Sequence, residues 1–181
     1  MPKPGDHPEF FHFPAPEGRS RESTIRVDRE GVWFHDGELV EHPRLKRAMQ
    51  SWVRRHPDDG RWILSNGWDW TYFTVDDVPF FVDSVRIESD RIALVLDDGT
   101  EEEWKPEDSR IGEQDAIYTV VKRDAPSGPF EARFSRHAQA SLGSVLELDP
   151  ETEPSHLAVR VGGRLHPIGA AAATGVNALA K

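Results

Sequence analysis

Cysteine is missing from the whole 181-residue chain, which removes disulfides, thiolate nucleophiles and cysteine-bound zinc from consideration. Long apolar runs are missing too, and nothing approaches the ~20 residues needed to span a bilayer. Met1 is followed by Pro2, Lys3, Pro4, Gly5 and Asp6 rather than by the apolar core of a signal peptide. These absences lead to the expectation of a cytoplasmic protein with no membrane partner. Basic charge is scarce: 22 Lys and Arg stand against 32 Asp and Glu, a net charge of −10. A protein that binds nucleic acid by neutralising phosphates needs the opposite balance, so nucleic acid is not an expected partner.

Catalytic signatures are equally scarce. There is no GxSxG elbow, no phosphate-loop glycine pattern and no HExxH. Ser135-Arg136-His137 falls in a segment that reads as helix, where neighbouring side chains diverge. The closest histidines, His7 and His12, lie in a proline-rich arm, so no metal and no cofactor are expected. The paired acids Asp76-Asp77 and Glu101-Glu102-Glu103 read as solvated turn or edge residues.

What the sequence does contain is strand patterning. Val78 to Trp104 reads as an antiparallel meander with turns at Ser89-Asp90 and Asp98-Gly99, the second suited to positive φ. Two-residue loops would set Ile87 opposite Ile92, Val85 opposite Leu94 and Asp83 opposite Leu96. Upstream, strands are expected at 24–27, 32–35, 61–64 and 68–75, with Asn66-Gly67 as a turn. A helix is expected over 43–56, with Pro43 in its first turn and Leu45, Met49, Trp52, Val53 and His56 at helical spacing. Arg44, Lys46, Arg47, Arg54 and Arg55 lie off that stripe and form a basic cluster. Nine acids between Asp97 and Asp115 form an opposite one.

Downstream, the spacing predicts a strand at 116–121, a second helix over 130–146, and a hairpin at 157–166 around Gly162-Gly163. Strand, helix, acidic turn and hairpin thus occur from Val32 to Val75 and again from Ala116 to Ile168. The expected fold is α+β, with two similar antiparallel-sheet-plus-helix units in tandem. Its divisions are a flexible arm at 1–22, an N-terminal unit at 23–112, a C-terminal unit at 113–169 and a flexible tail at 170–181. Phe10, Phe11 and Phe13 are the arm residues suited to lie across a neighbouring surface.

Two stretches carry a family resemblance. Trp70 to Val82 (WTYFTVDDVPFFV), with Val32 to Gly37, resembles the bacterial domain-of-unknown-function family 1285. So do Phe130 to Arg136 and Gly163 to Ile168. The resemblance spans roughly Thr24 to Gly169. It implies a duplicated α+β unit, a C-terminal half similar to pleckstrin-homology-like folds, and a ligand or signal site between the halves. It implies no established activity, and no catalytic residue can be carried over.

The candidate site residues come from two oddities and a charge pattern. Asp83 shares strand parity with Phe81, Val85 and Ile87. It is either buried against Arg133 or Arg47, an anchor at a ligand cleft, or returned to solvent by a bulge. Trp68, Trp70 and Tyr72 share one strand face, as core residues or as a stacking platform. Arg47 on the first helix and Arg133 and Arg136 on the second could join those aromatics in a cationic groove between the units. The leading function is therefore a non-enzymatic small-molecule or signal-binding module for an anionic ligand. A protein–protein adaptor is the alternative, and an uncharacterised hydrolase is third.

Overall fold

The computed structural model describes residues 3–125, 127–150 and 156–169, with only the backbone of Pro8. The expected tail at 170–181 lies outside them. The chain divides into two compact units. The first runs to Pro79 and also takes in Asp124–Gly128; the second holds Phe80–Arg123 and the chain from Pro129 onward. Among the described residues the architecture is mostly β-sheet with two short α-helices. No helix among the described residues is long and apolar enough to cross a membrane.

In the first unit, β1 (Glu22–Val27), β2 (Trp33–His35) and β3 (Glu38–Leu39) form one meander. Helix α1 (Pro43–Ser51) leads to a second, β4 (Val53–Arg55), β5 (Trp62–Ser65) and β6 (Trp70–Val75). The six strands make one sheet in the order β3-β2-β1-β6-β5-β4. Its only parallel pair is β1 with β6. The proline-rich arm is not a loose tail over its described length. It forms two 3-10 turns, Pro4–Asp6 and Pro8–His12, and packs Phe10 (6% exposed) against Ile63 and Trp70. Burying one phenylalanine is worth ~2 kcal/mol, enough to hold a short segment in place.

Helix α1 stops five residues earlier than its spacing predicts. Proline at position 57 disfavours helical geometry at His56. Pairing of Val53, Arg54 and Arg55 with Leu64, Ile63 and Trp62 then extends the chain back to Val53, which is 1% exposed. The helix is tied to the sheet by Gln50, 2% exposed, whose amide donates to the Pro79 carbonyl and accepts from Trp33 Nε1 at 3.1 Å.

The second unit opens with β7 (Phe80–Ile87), β8 (Ile92–Leu96) and β9 (Glu101–Glu103). Then come β10 (Ser109–Ile111), β11 (Ile117–Val121) and β12 (Phe130–Phe134). Their order is β10-β11-β12-β7-β8-β9, with β12 and β7 parallel. The division expected between 112 and 113 thus falls inside one sheet, because β12 beyond it pairs with β7 before it. The expected helix at 130–146 is β12, then α2 (Arg136–Ser141), a 3-10 turn, and β13 (Leu146–Leu148). Phe130, Ala132 and Phe134 alternate inward along β12, at 3%, 0% and 3% exposed. Ser135 then caps α2 by accepting from the Ala138 N–H at 3.1 Å. Strand β13 joins β14 (Leu157–Val161) and β15 (Arg164–Pro167) in a separate three-stranded sheet.

In the meander, Ile87 pairs with Ile92 and Val85 with Leu94, as the first turn dictates. Leu96, however, pairs with Val82, and the register shifts between Val82 and Ser84. That bulge absorbs Asp83 and leaves it exposed, so the reading of Asp83 as a buried carboxylate is corrected. The second turn holds three residues rather than two: the Leu96 N–H donates to the Thr100 carbonyl, and Gly99 sits at φ 85°.

Candidate functional site

A cleft of about 840 Å³ opens in the first unit where α1 ends and the β4–β5 hairpin begins. Local geometry builds it. The Ser65 N–H donates to the Trp52 carbonyl at 2.8 Å, stitching the helix end to β5. Gly60, at φ 69°, lets the hairpin loop close, with its N–H on the His56 carbonyl at 2.9 Å. Across the opening, the Gly5 N–H donates to the Gly67 carbonyl at 2.9 Å, and Lys3 and Asp6 come into the wall. A Cβ at Gly5 would stand 2.8 Å from Gly67 Cα, so this backbone contact requires glycine.

Lys3, Arg54 and Arg55 bring three positive charges to this cleft, and Asp6 the one carboxylate. Arg54 is half-buried, with Nη1 donating to the Val53 carbonyl at 2.9 Å and the Ser51 carbonyl at 3.4 Å. Arg55 Nη1 donates to the Gly60 carbonyl at 3.0 Å, and its guanidinium lies 3.8 Å from the Trp62 ring centre. Burial lowers both pKa values from the ordinary arginine range, yet both groups remain cations. Neither has a carboxylate partner among the described residues. Phe11, Trp52 and His56 supply the ring-bearing wall, and Ser127, whose buried Oγ has no hydrogen-bond partner, completes it.

Beside the cleft, His56 (6% exposed) packs against Trp70 at 4.9 Å and Tyr72 at 5.6 Å between ring centres. Its Nδ1 accepts from the Asp58 N–H at 3.3 Å. Tyr72 donates its hydroxyl to Asp59 at 2.8 Å. Partial burial, then that hydrogen bond, push the Tyr72 pKa up. For Asp59, burial pushes upward, but the Arg61 N–H, the Tyr72 hydroxyl and nearby cations outweigh it and hold the carboxyl low. His12 reaches across to Asp58 at 3.1 Å, and hydrogen bonding to that carboxylate, then to Glu9, raises its pKa.

Among solved structures, two align with this fold. One is a DUF1285 family protein from Silicibacter pomeroyi DSS-3, with a TM-score of 0.57 at 18% identity, covering 88% of this chain and 86% of that one. The other, from Shewanella baltica OS155, aligns at a TM-score of 0.51 and 12% identity, over 65% of this chain and 87% of that one. The fold is that of DUF1285 family proteins. No protein-family model and no curated protein matches the sequence.

Within this DUF1285-like fold the sequence-derived candidates scatter. Arg47 is exposed on α1. Trp68 falls in the loop between β5 and β6 rather than on the strand, and is 66% exposed. Trp70 is 6% exposed and Tyr72 half-buried, edge-to-face at 5.2 Å, so these two are packed residues of the sheet. Asp83, Arg133 and Arg136 belong to the second unit: Asp83 on the bulge, Arg133 half-buried 5.9 Å from the Tyr118 ring, and Arg136 exposed at the start of α2. The structure therefore packs Trp70 against Tyr72 in the first unit and leaves Arg47 and Trp68 of the same unit exposed. Arg54 and Arg55 were visible in the sequence as part of a basic cluster. Assigning them to a helix face concealed that they open a strand beside a cleft.

Proposed function

We propose that this protein is a binding module for a small anionic ligand, held in the first-unit cleft by Arg54, Arg55 and Lys3. The observation that carries this reading is the pair Arg54–Arg55: one half-buried and one exposed guanidinium, held by backbone carbonyls and the Trp62 ring with no carboxylate partner among the described residues, at a cavity of about 840 Å³ in a chain of net charge −10. Guanidinium groups with unused donors match carboxylate and phosphate oxygens, and a partly dry site strengthens the attraction. The cleft lies within the usual range for ligand pockets. No described side-chain set in it forms a nucleophile with its base, which favours binding over catalysis. Sensing an anionic metabolite is the role such a module would serve.

The two six-stranded sheets support a reading of the fold as a duplicated unit. In each, two three-stranded meanders pair through the first strand of one and the last strand of the other, in parallel. The repeat on this reading relates 22–75 to 80–134.

Titration calorimetry and thermal shift with inorganic phosphate, pyrophosphate and citrate test the function. At a hundred times its dissociation constant a bound anion adds ~2.7 kcal/mol of stability. Binding should weaken about tenfold or more in Arg54→Gln and Arg55→Gln and persist in Arg47→Gln, on the exposed side of α1. No stabilisation by any of the three anions would overturn the proposal.

A further inference from the structure

A second cavity, about 350 Å³, lies between α1 and the sheet of the same unit, walled by Ile25, Val40, Leu45, Met49 and Leu64. Trp52 and Asn66 line this cavity and the cationic cleft alike. Resting on the anion-binding reading above, we infer that the two cavities form one site for an amphipathic anion. Its charged head lies at Arg54, Arg55 and Lys3, and its apolar chain or ring passes Trp52 into the space beneath α1.

Three observations carry this. The first is continuity. Trp52 directly follows α1 and is fixed by its carbonyl to Ser65, so a half-buried indole stands where the two cavities meet. Asn66 Oδ1 is committed to the Trp68 and Asp69 N–H groups at 2.8 and 2.9 Å. Its amide nitrogen is left with no acceptor among the described residues and can donate at the junction. The second is chemistry. The inner cavity is walled mainly by aliphatic and indole side chains, with His35, Asn66, Asp69 and Thr71 as its polar members, and its one carboxylate, Asp69, is already paired with Arg21 at 2.5 Å. An apolar chain suits such walls, where each methylene buried is worth ~0.8 kcal/mol. The third is access: Leu45 is 44% exposed at the mouth, while Met49 and Leu64 behind it are 4% and 5% exposed. The pocket is thus open at one side and closed at its base.

The occupant is a free molecule rather than a lipid in a bilayer. A chain of net charge −10 is repelled by the anionic surfaces that present such headgroups.

Calorimetry with inorganic phosphate, octyl phosphate and octanol separates head from chain. The inference predicts octyl phosphate binding at least about tenfold tighter than phosphate, and far tighter than octanol. Leu45→Trp, which fills the mouth, should bring octyl phosphate down to the affinity of phosphate. Leu45→Asp, placing a charge at the same mouth, should do likewise. Equal affinity for phosphate and octyl phosphate, or an advantage indifferent to both Leu45 variants, would overturn the shared site and leave the anion cleft standing. No binding of phosphate or octyl phosphate would overturn the anion cleft itself. Co-sedimentation with phosphatidylcholine vesicles containing phosphatidic acid, without binding of monomeric octyl phosphate, would overturn the free-molecule occupant.

Discussion

Asp97 shows how a single residue acts against its own fold. Its carboxyl accepts from the Phe81 N–H at 3.2 Å and lies near the charges of Asp83 and Asp98. Burial first, then those like charges, push its pKa well above the ordinary value. A raised acid pKa means that the folded state holds its proton more tightly than the unfolded chain. The contribution is therefore favourable below the unfolded value of 3.8 and is lost as pH rises through the folded pKa. At neutral pH, Asp97 costs stability. Asp97→Asn keeps the carbonyl acceptor and removes the charge, so it should raise the denaturation midpoint at pH 7 and do little near pH 3. Equal midpoints for variant and wild type across that range would show Asp97 to be ordinarily solvated. Gln50 is the opposite case: a buried polar group satisfied at both ends, joining Trp33 to Pro79.

Among elements, the bulge in β7 has the plainest energetic signature. Pleat parity alone would send Asp83 to the same face as Val85, and a regular ladder would bury it. The extra residue between Val82 and Ser84 turns it outward while Val82 stays 0% exposed. Asp83→Ala should accordingly alter stability by less than about 1 kcal/mol. Val82→Ala should cost about 2 kcal/mol through lost burial. Urea titrations of the two variants measure this, and a larger loss at position 83 than at 82 would contradict the bulge. The helices illustrate the converse problem. Met49, Trp52, Val53 and His56 fit a helical face, yet the buried Val53 followed by Arg54 and the exposed Arg55 also fits a short strand. Strand pairing with β5 decides between them.

At the scale of the molecule, each unit carries its own six-stranded sheet and its own buried residues, and the candidate site belongs to the first. Hydrogen exchange with and without inorganic phosphate should therefore show slowed exchange concentrated in residues 52–56 and 64–67. Slowing confined to the second unit, around 80–96, would place the ligand elsewhere.

The sequence by itself determined the local geometry. Alternation marked most of the strands, Ser89-Asp90 set the first meander register, and Gly162-Gly163, at φ 57° and 75°, closed the last hairpin. Those features depend on φ preferences and side-chain period within a few residues. The basic composition of the cleft was legible in the same way, as Arg54 and Arg55 in the basic cluster of the helix expected over 43–56. Only the tertiary structure decided which strands share a sheet. The pairs β1–β6 and β7–β12 join segments some 50 residues apart in parallel, and no local signal encodes them. Other tertiary contacts fixed where α1 ends, through β4 on β5, released Asp83 to solvent at the β7–β8 bulge, left Trp68 in a loop, and drew the arm with Lys3 onto Gly67. The physical reason is that such partners are chosen by the apolar area they bury together and the backbone groups they satisfy, quantities that exist only once distant segments meet.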